Sequence, residues 1–176
     1  LRDALVAAVT LNIFNKHSDR VRMACLAQTV NVLQAVILTE GERMLRTPTY
    51  HAMRMYRHHQ NADLLESALA DVRTVGLGEY TVPMVHESVS ADENGVITVT
   101  LANLSADSSE ELELQLQEQG YRVLEAKILC ADEIGSYNTF DEPDLVCEKD
   151  FGGVRIGDTI SLTLPAASVV ALRLSK

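Results

Sequence analysis

Apolar residues recur at helical spacing over 3–14, with Leu1, Leu5, Val9 and Ile13 on one stripe and Val6, Thr10 and Phe14 beside it. A helix this apolar all round needs cover on more than one side. Asn15, Lys16 and His17 suit a C-terminal turn, and Ser18 and Asp19 redirect the chain. The run 21–27 is apolar on both parities apart from Arg22, which predicts a parallel strand covered on two faces. Gln28 and Asn31 break that run, a second apolar stretch fills 32–38, and Thr39, Glu40, Gly41 and Glu42 form an acidic loop. Thr47 followed by Pro48 is an N-cap with proline at the first helical position. The helix it opens runs to about His59 and turns Tyr50, Ala52, Met53, Met55 and Tyr56 toward a core. Helix, strand, loop, helix is the order of elements at the end of a (β/α)8 TIM barrel.

Past Asn61 the period changes from helical to alternate. Ile97, Val99 and Leu101 alternate with Thr98, Thr100 and Ala102 directly after the turn signal Asn94-Gly95. Leu112, Leu114 and Leu116 alternate with Glu111, Glu113 and Gln115; Ile160, Leu162 and Leu164 with Ser161 and Thr163; and Val170, Leu172 and Leu174 end the chain. Such short, half-polar strands predict an antiparallel β-sandwich, jelly-roll-like, of about seven or eight strands with one core face and one solvated face. The expected class is therefore α/β plus all-β, divided into 1–61, the last βα units of an incomplete barrel, and 62–176, the sandwich. No internal repeat and no low-complexity linker is evident.

With 176 residues, 47% of them hydrophobic, the chain can bury a sizeable core. Its net charge of −10 carries no basic stripe, so neither nucleic acid nor an anionic membrane surface is an expected partner. Cys25, Cys130 and Cys147 are odd in number and widely spaced, which reads as reduced thiols in the cytoplasm. The apolar runs are too short to span a bilayer, and nothing resembles a secretion signal. The start at Leu1, without an initiator methionine and almost at once helical, reads as a chain that has been cut. The triplet Asn103-Leu104-Ser105 matches an N-glycosylation acceptor, a match that arises often by chance.

Gln28 is the leading candidate for a site residue, because barrel enzymes keep their chemistry at the C-terminal ends of the strands. Its amide can donate to one sugar hydroxyl and accept from another, or it can serve loop backbone groups instead. His51, His58 and His59 share a helical segment but lack the i, i+4 spacing of a zinc helix, and read as solvated or helix-capping; no metal is expected. Glu40 and Glu42 read as a solvated loop. Ser136 and Ser168 lack a nucleophile-elbow context, and Gly76-Leu77-Gly78 lacks the third glycine of a dinucleotide loop, so no cofactor is expected.

The stretches Lys16-His17-Ser18-Asp19-Arg20-Val21 and Ala24-Cys25-Leu26-Ala27-Gln28-Thr29-Val30-Asn31-Val32 resemble glycoside hydrolase family 51, the intracellular α-L-arabinofuranosidases. The likeness continues through Ile37-Leu38-Thr39, Thr47-Pro48-Thr49-Tyr50-His51 and Met55-Tyr56, and returns at Asn138-Thr139-Phe140-Asp141-Glu142-Pro143 and in the commoner Leu164-Pro165-Ala166-Ala167-Ser168-Val169. It implies a retaining release of terminal α-L-arabinofuranosyl groups from arabinan or arabinoxylan oligosaccharides by two glutamates. In the family these end the fourth and seventh barrel strands, one within a tryptophan-containing motif. This sequence has no tryptophan, so both should lie upstream and no catalytic residue is assigned within it. The family's substrate-binding glutamine falls on Gln28, where it would hold the sugar ring without transferring a proton. The expected partners are the N-terminal portion of the same enzyme, an arabinofuranosyl oligosaccharide and further copies in a homo-oligomer. Two alternatives stand beside this reading. One is a non-catalytic carbohydrate-binding or assembly module, disfavoured by an aromatic content of 5%. The other is a related barrel glycosidase with another sugar preference.

Overall fold

The computed structural model describes residues 1–27 and 29–176. Helix α1 (Arg2–Lys16) buries the stripe Ala4, Leu5, Ala8 and Asn12 below Leu1 at its N-cap, the spacing of a single helical face. The opposite side is open, with Val6 61% and Ile13 45% exposed.

The strand expected over 21–27 does not form. These residues belong to no strand or helix, and Arg22, Met23, Ala24, Cys25 and Ala27 are exposed. A parallel strand needs neighbours for its backbone N–H and C=O groups, and the described residues supply none here. The described residues accordingly contain no (β/α)8 barrel; they are mostly β-sheet with few helices.

An antiparallel hairpin, β1 (Ile37–Glu40) and β2 (Arg43–Arg46), replaces the expected acidic loop. Gly41, at φ 59°, supplies the left-handed backbone of its turn. Helix α2 (Pro48–Met55) starts at Thr47 as expected, and a single 3-10 turn, Tyr56–His59, extends it. The Thr47 hydroxyl donates to Ala35 O at 2.9 Å, so it ties the helix start to the preceding loop rather than capping the helix.

The remaining strands are β3 (Asp63–Leu65), β4 (Thr74–Leu77), β5 (Tyr80–Pro83), β6 (Val85–Ala91), β7 (Ile97–Asn103), β8 (Glu110–Leu114), β9 (Arg122–Leu129), β10 (Lys149–Asp150), β11 (Val154–Ile156), β12 (Ile160–Leu164) and β13 (Ser168–Ser175). They build a six-stranded sheet ordered β10-β9-β13-β7-β6-β3 and a three-stranded sheet ordered β11-β12-β8, where about seven or eight strands in all were expected. Strands β4 and β5 form a separate hairpin.

The larger sheet is a middle layer. One face, with Ile97, Val99, Leu101, Val170, Leu172 and Leu174, shares a core with Ile160, Leu162 and Leu164 of the smaller sheet. The other, with Ala102, Leu129, Val169 and Ala171, shares a core with Leu1, Ala4, Leu5, Ala8, Ala52, Met55 and Tyr56. Every residue of β7 is therefore buried. The solvated face expected for Thr98, Thr100 and Ala102 is instead roofed by α1, α2 and the 3-10 turn, which corrects the two-layer reading.

Candidate functional site

Gln28 lies outside the described residues. The chain immediately after it is fixed in place: Thr29 O accepts from Val36 N at 3.1 Å and Ile37 N at 3.2 Å, and Val30 forms a parallel bridge with Ile37. Asn31 takes a left-handed conformation at φ 54° and its amide clasps Thr39, donating to Oγ1 at 2.8 Å and accepting from the backbone N at 2.7 Å. The stretch that follows Gln28 is thus stitched to β1.

The sandwich reaches the same place. Asn138, in the long connection from β9 to β10, donates through Nδ2 to Arg46 O at 2.8 Å and to Val146 O at 3.0 Å. Arg43 stands 5.0 Å over the Phe140 ring and 3.6 Å from Asp141, and Arg46 lies 3.4 Å from Asp144. Arg2 N, at the start of α1, donates to Ile134 O at 2.9 Å. One end of the molecule therefore gathers the start of α1, the chain after Gln28, the β1–β2 hairpin and the 134–146 connection. Glu40 pairs with Arg43 and both are largely exposed, so the carboxylate is solvated as expected, although it ends β1 and does not stand in a loop.

The open side of α1 and the chain 24–26 enclose a groove of about 160 Å³, lined by Val6, Thr10, Phe14, Leu26 and Met53 among others. It is mostly apolar and opens outward, away from the sheet that the other side of α1 covers.

The histidines depart from expectation, because two of the three are not solvated. His51 is buried on α2 with neither ring nitrogen hydrogen-bonded to a described residue, and burial lowers its pKa against the opposing pull of Glu148. His59 sits in a polar cluster between the helices and the sheet. Its Nδ1 is 2.8 Å from Ser90 Oγ and its Nε2 3.0 Å from Thr100 Oγ1, and burial lowers its pKa to about 4. His58 lies 3.7 Å from Glu125, and burial, with Arg173 and Arg57 nearby, lowers its pKa too. At the centre of the cluster, Asn12 Oδ1 accepts from Tyr56 Oη at 2.9 Å and from Ser88 Oγ and Thr100 Oγ1 at 2.8 Å each. Burial raises the Tyr56 pKa, so its hydroxyl keeps its proton and acts as a donor. The sequence carries one signal of this cluster, a polar Asn12 on the helical stripe of Leu1, Leu5 and Ala8.

Among the described residues no group of three or more His, Cys, Asp or Glu side chains could hold a metal ion. No described helix is long and apolar enough to cross a membrane. All three cysteines are free thiols, with Cys25 exposed. Asn103 is fully buried, its Nδ2 spent on Ser108 O at 2.8 Å and Pro165 O at 2.9 Å, so the acceptor triplet is out of reach of glycosylation in the folded chain. The Ser168 hydroxyl donates to Pro165 O at 2.7 Å as part of the turn into β13.

A family model described as the alpha-L-arabinofuranosidase C-terminal domain matches residues 1–168. An intracellular exo-alpha-L-arabinofuranosidase of Bacteroides ovatus is 39% identical over 175 residues, which are 99% of this chain and 34% of that protein. An exo-alpha-(1->6)-L-arabinofuranosidase of Bifidobacterium longum is 28% identical over 97% of this chain and 34% of its own length. Among solved structures, the GH51 arabinofuranosidase from Xanthomonas axonopodis pv. citri superposes with a TM-score of 0.91 at 41% identity, covering 98% of this chain and 35% of that one. The chain thus spans about a third of the length of these relatives.

Proposed function

The chain belongs to the alpha-L-arabinofuranosidase C-terminal domain family, and from that membership we propose that it is the C-terminal portion of a retaining exo-α-L-arabinofuranosidase. A preceding portion of the same polypeptide completes a (β/α)8 barrel and carries both catalytic glutamates. Residues 1–61 then supply the last βα units of that barrel, and 62–176 supply the sandwich that buttresses it.

The observation that carries this reading is the open side of α1 with the apolar run 21–27 beside it. Val6, Ile13 and Met23 meet solvent and 21–27 has no strand partner, although the other side of the same helix is packed to closure. Exposed apolar surface of this kind, next to an apolar stretch lacking sheet neighbours, is what a barrel end presents when the adjoining strands belong to chain outside it. A complete enzyme would cover both at once.

On this reading Gln28 holds the arabinofuranosyl ring at the C-terminal mouth of the barrel while the two upstream glutamates act as nucleophile and as general acid, then base. The substrates are arabinan- or arabinoxylan-derived oligosaccharides, no cofactor takes part, the enzyme works in the cytoplasm, and copies of it assemble as a homo-oligomer. In the complete enzyme, Gln28→Ala should lower kcat/KM on an aryl α-L-arabinofuranoside by roughly 5- to 150-fold, the loss of a substrate hydrogen bond worth about 1 to 3 kcal/mol, with an unchanged melting temperature. Unchanged kinetics with a lower melting temperature would make Gln28 a structural residue.

A further inference from the structure

We propose that Tyr137 is a substrate-binding residue, an aromatic platform on which the leaving-group side of an oligosaccharide stacks; the proposal rests on the arabinofuranosidase reading above. Two tyrosines in the described residues are strongly exposed, Tyr137 at 67% and Tyr80 at 80%. Of the two, Tyr137 lies at the end of the molecule where the chain from Thr29 onward is anchored. Arg2 N donates to Ile134 O at 2.9 Å, and Asn138 Nδ2 donates to Arg46 O at 2.8 Å. Arg46 is the register partner of Ile37, whose backbone N in turn donates to Thr29 O at 3.2 Å. Tyr137 therefore sits between two anchors, one on the start of α1 and one on the hairpin that holds the residue following Gln28. Tyr80 belongs to the hairpin that leads into β6, near whose start His86 O accepts from Asn12. Asn12 is eleven residues along α1 from Leu1, roughly 16 Å away at a helical rise of about 1.5 Å per residue.

The loop that carries Tyr137 is rigid where it matters. Asn138 Oδ1 accepts from Val146 N at 2.7 Å, Thr139 N donates to Glu142 O at 3.2 Å, Glu142 N donates to Thr139 Oγ1 at 3.0 Å, and Ser136 N donates to Glu133 O at 3.0 Å. The ring itself has no aromatic or cationic partner among the described residues. An aromatic ring held at the surface by a pinned backbone, with a free face, suits the C–H face of a sugar ring at little entropic cost, and its hydroxyl can serve the sugar's polar edge. The class of ligand is the second and later sugar units of an arabino-oligosaccharide, beyond the arabinofuranosyl group that is cleaved.

The test compares two substrates with the complete enzyme: an arabino-oligosaccharide of three or more units, and methyl α-L-arabinofuranoside, whose leaving group has no ring to stack. Tyr137→Ala should lower the ratio of kcat/KM for oligosaccharide over methyl glycoside by about 5- to 10-fold, through KM, and Tyr137→Trp should restore it. An unchanged ratio, or a loss that Tyr137→Trp fails to restore, overturns the proposal. An unmodified enzyme that hydrolyses neither substrate overturns the arabinofuranosidase reading first, a result distinct from an active enzyme indifferent to Tyr137.

Discussion

Asn12 is the polar residue in the stripe that α1 buries, and it is satisfied there because hydroxyls from three other elements reach it. The pattern also fits a neutral His59. Thr100 spends its proton on Asn12 Oδ1, so it accepts from a protonated His59 Nε2, and Nδ1 is left to accept from the Ser90 hydroxyl. The ring is neutral near pH 7, in line with its pKa of about 4, which burial lowers most and the neighbouring His58 lowers further. A folded pKa below the ordinary value means that the unfolded chain binds more protons between them. The His59 contribution is then fully present above pH 6.5, shrinks as pH falls toward 4, and amounts at most to about 3 kcal/mol over that window. His51 and His58, also lowered by burial, push in the same direction. Urea unfolding of the complete protein should show His59→Asn less stable than wild type at pH 7.5, with that gap narrowing markedly by pH 4.5. A gap independent of pH would show that folding does not lower the His59 pKa.

At the scale of elements, the β4–β5 hairpin depends on one backbone position. Gly76 sits at φ 139°, and a Cβ there would lie 2.0 Å from Tyr80 O, a backbone atom that cannot swing away. Gly76→Val should open the hairpin, seen as lost hydrogen-exchange protection over 74–83 with the six-stranded sheet still protected. Retained protection across the hairpin would show that the strand pairing tolerates the side chain. The same glycines read in the sequence only as a break in pattern, because alternation does not report a positive φ. Asn94-Gly95 was legible as a turn, and there Asp92 Oδ1 accepts from Asn94 N at 2.9 Å and Val96 N at 3.0 Å. The strands of Ile97, Leu112, Ile160 and Val170 were legible as well, since period-two alternation is local. Local pattern does not say which layer covers the polar parity, so Thr98 and Thr100 read as solvated although helices roof them. The run 21–27 reads as a strand from composition alone, and among the described residues no neighbouring strand pairs with it. The burial of His51 and His59 is not legible locally because it depends on elements far along the chain, with Ser90 and Thr100 meeting the His59 ring.

The molecule as a whole has one side closed and one open. The six-stranded sheet is packed on both faces, by the small sheet and by the helices. Beyond the helices lies the groove of α1, and nothing in the described chain covers it. On the proposed function, this open side meets the rest of an arabinofuranosidase, and bond cleavage belongs to that remainder while the chain described contributes substrate binding and support. The most direct measurement is arabinose release from an aryl α-L-arabinofuranoside by two preparations at equal concentration, the 176-residue chain alone and the complete polypeptide that ends in it. The account predicts rapid release by the complete polypeptide and none above buffer by the chain alone. Release by the chain alone, or an inert complete polypeptide, would contradict it.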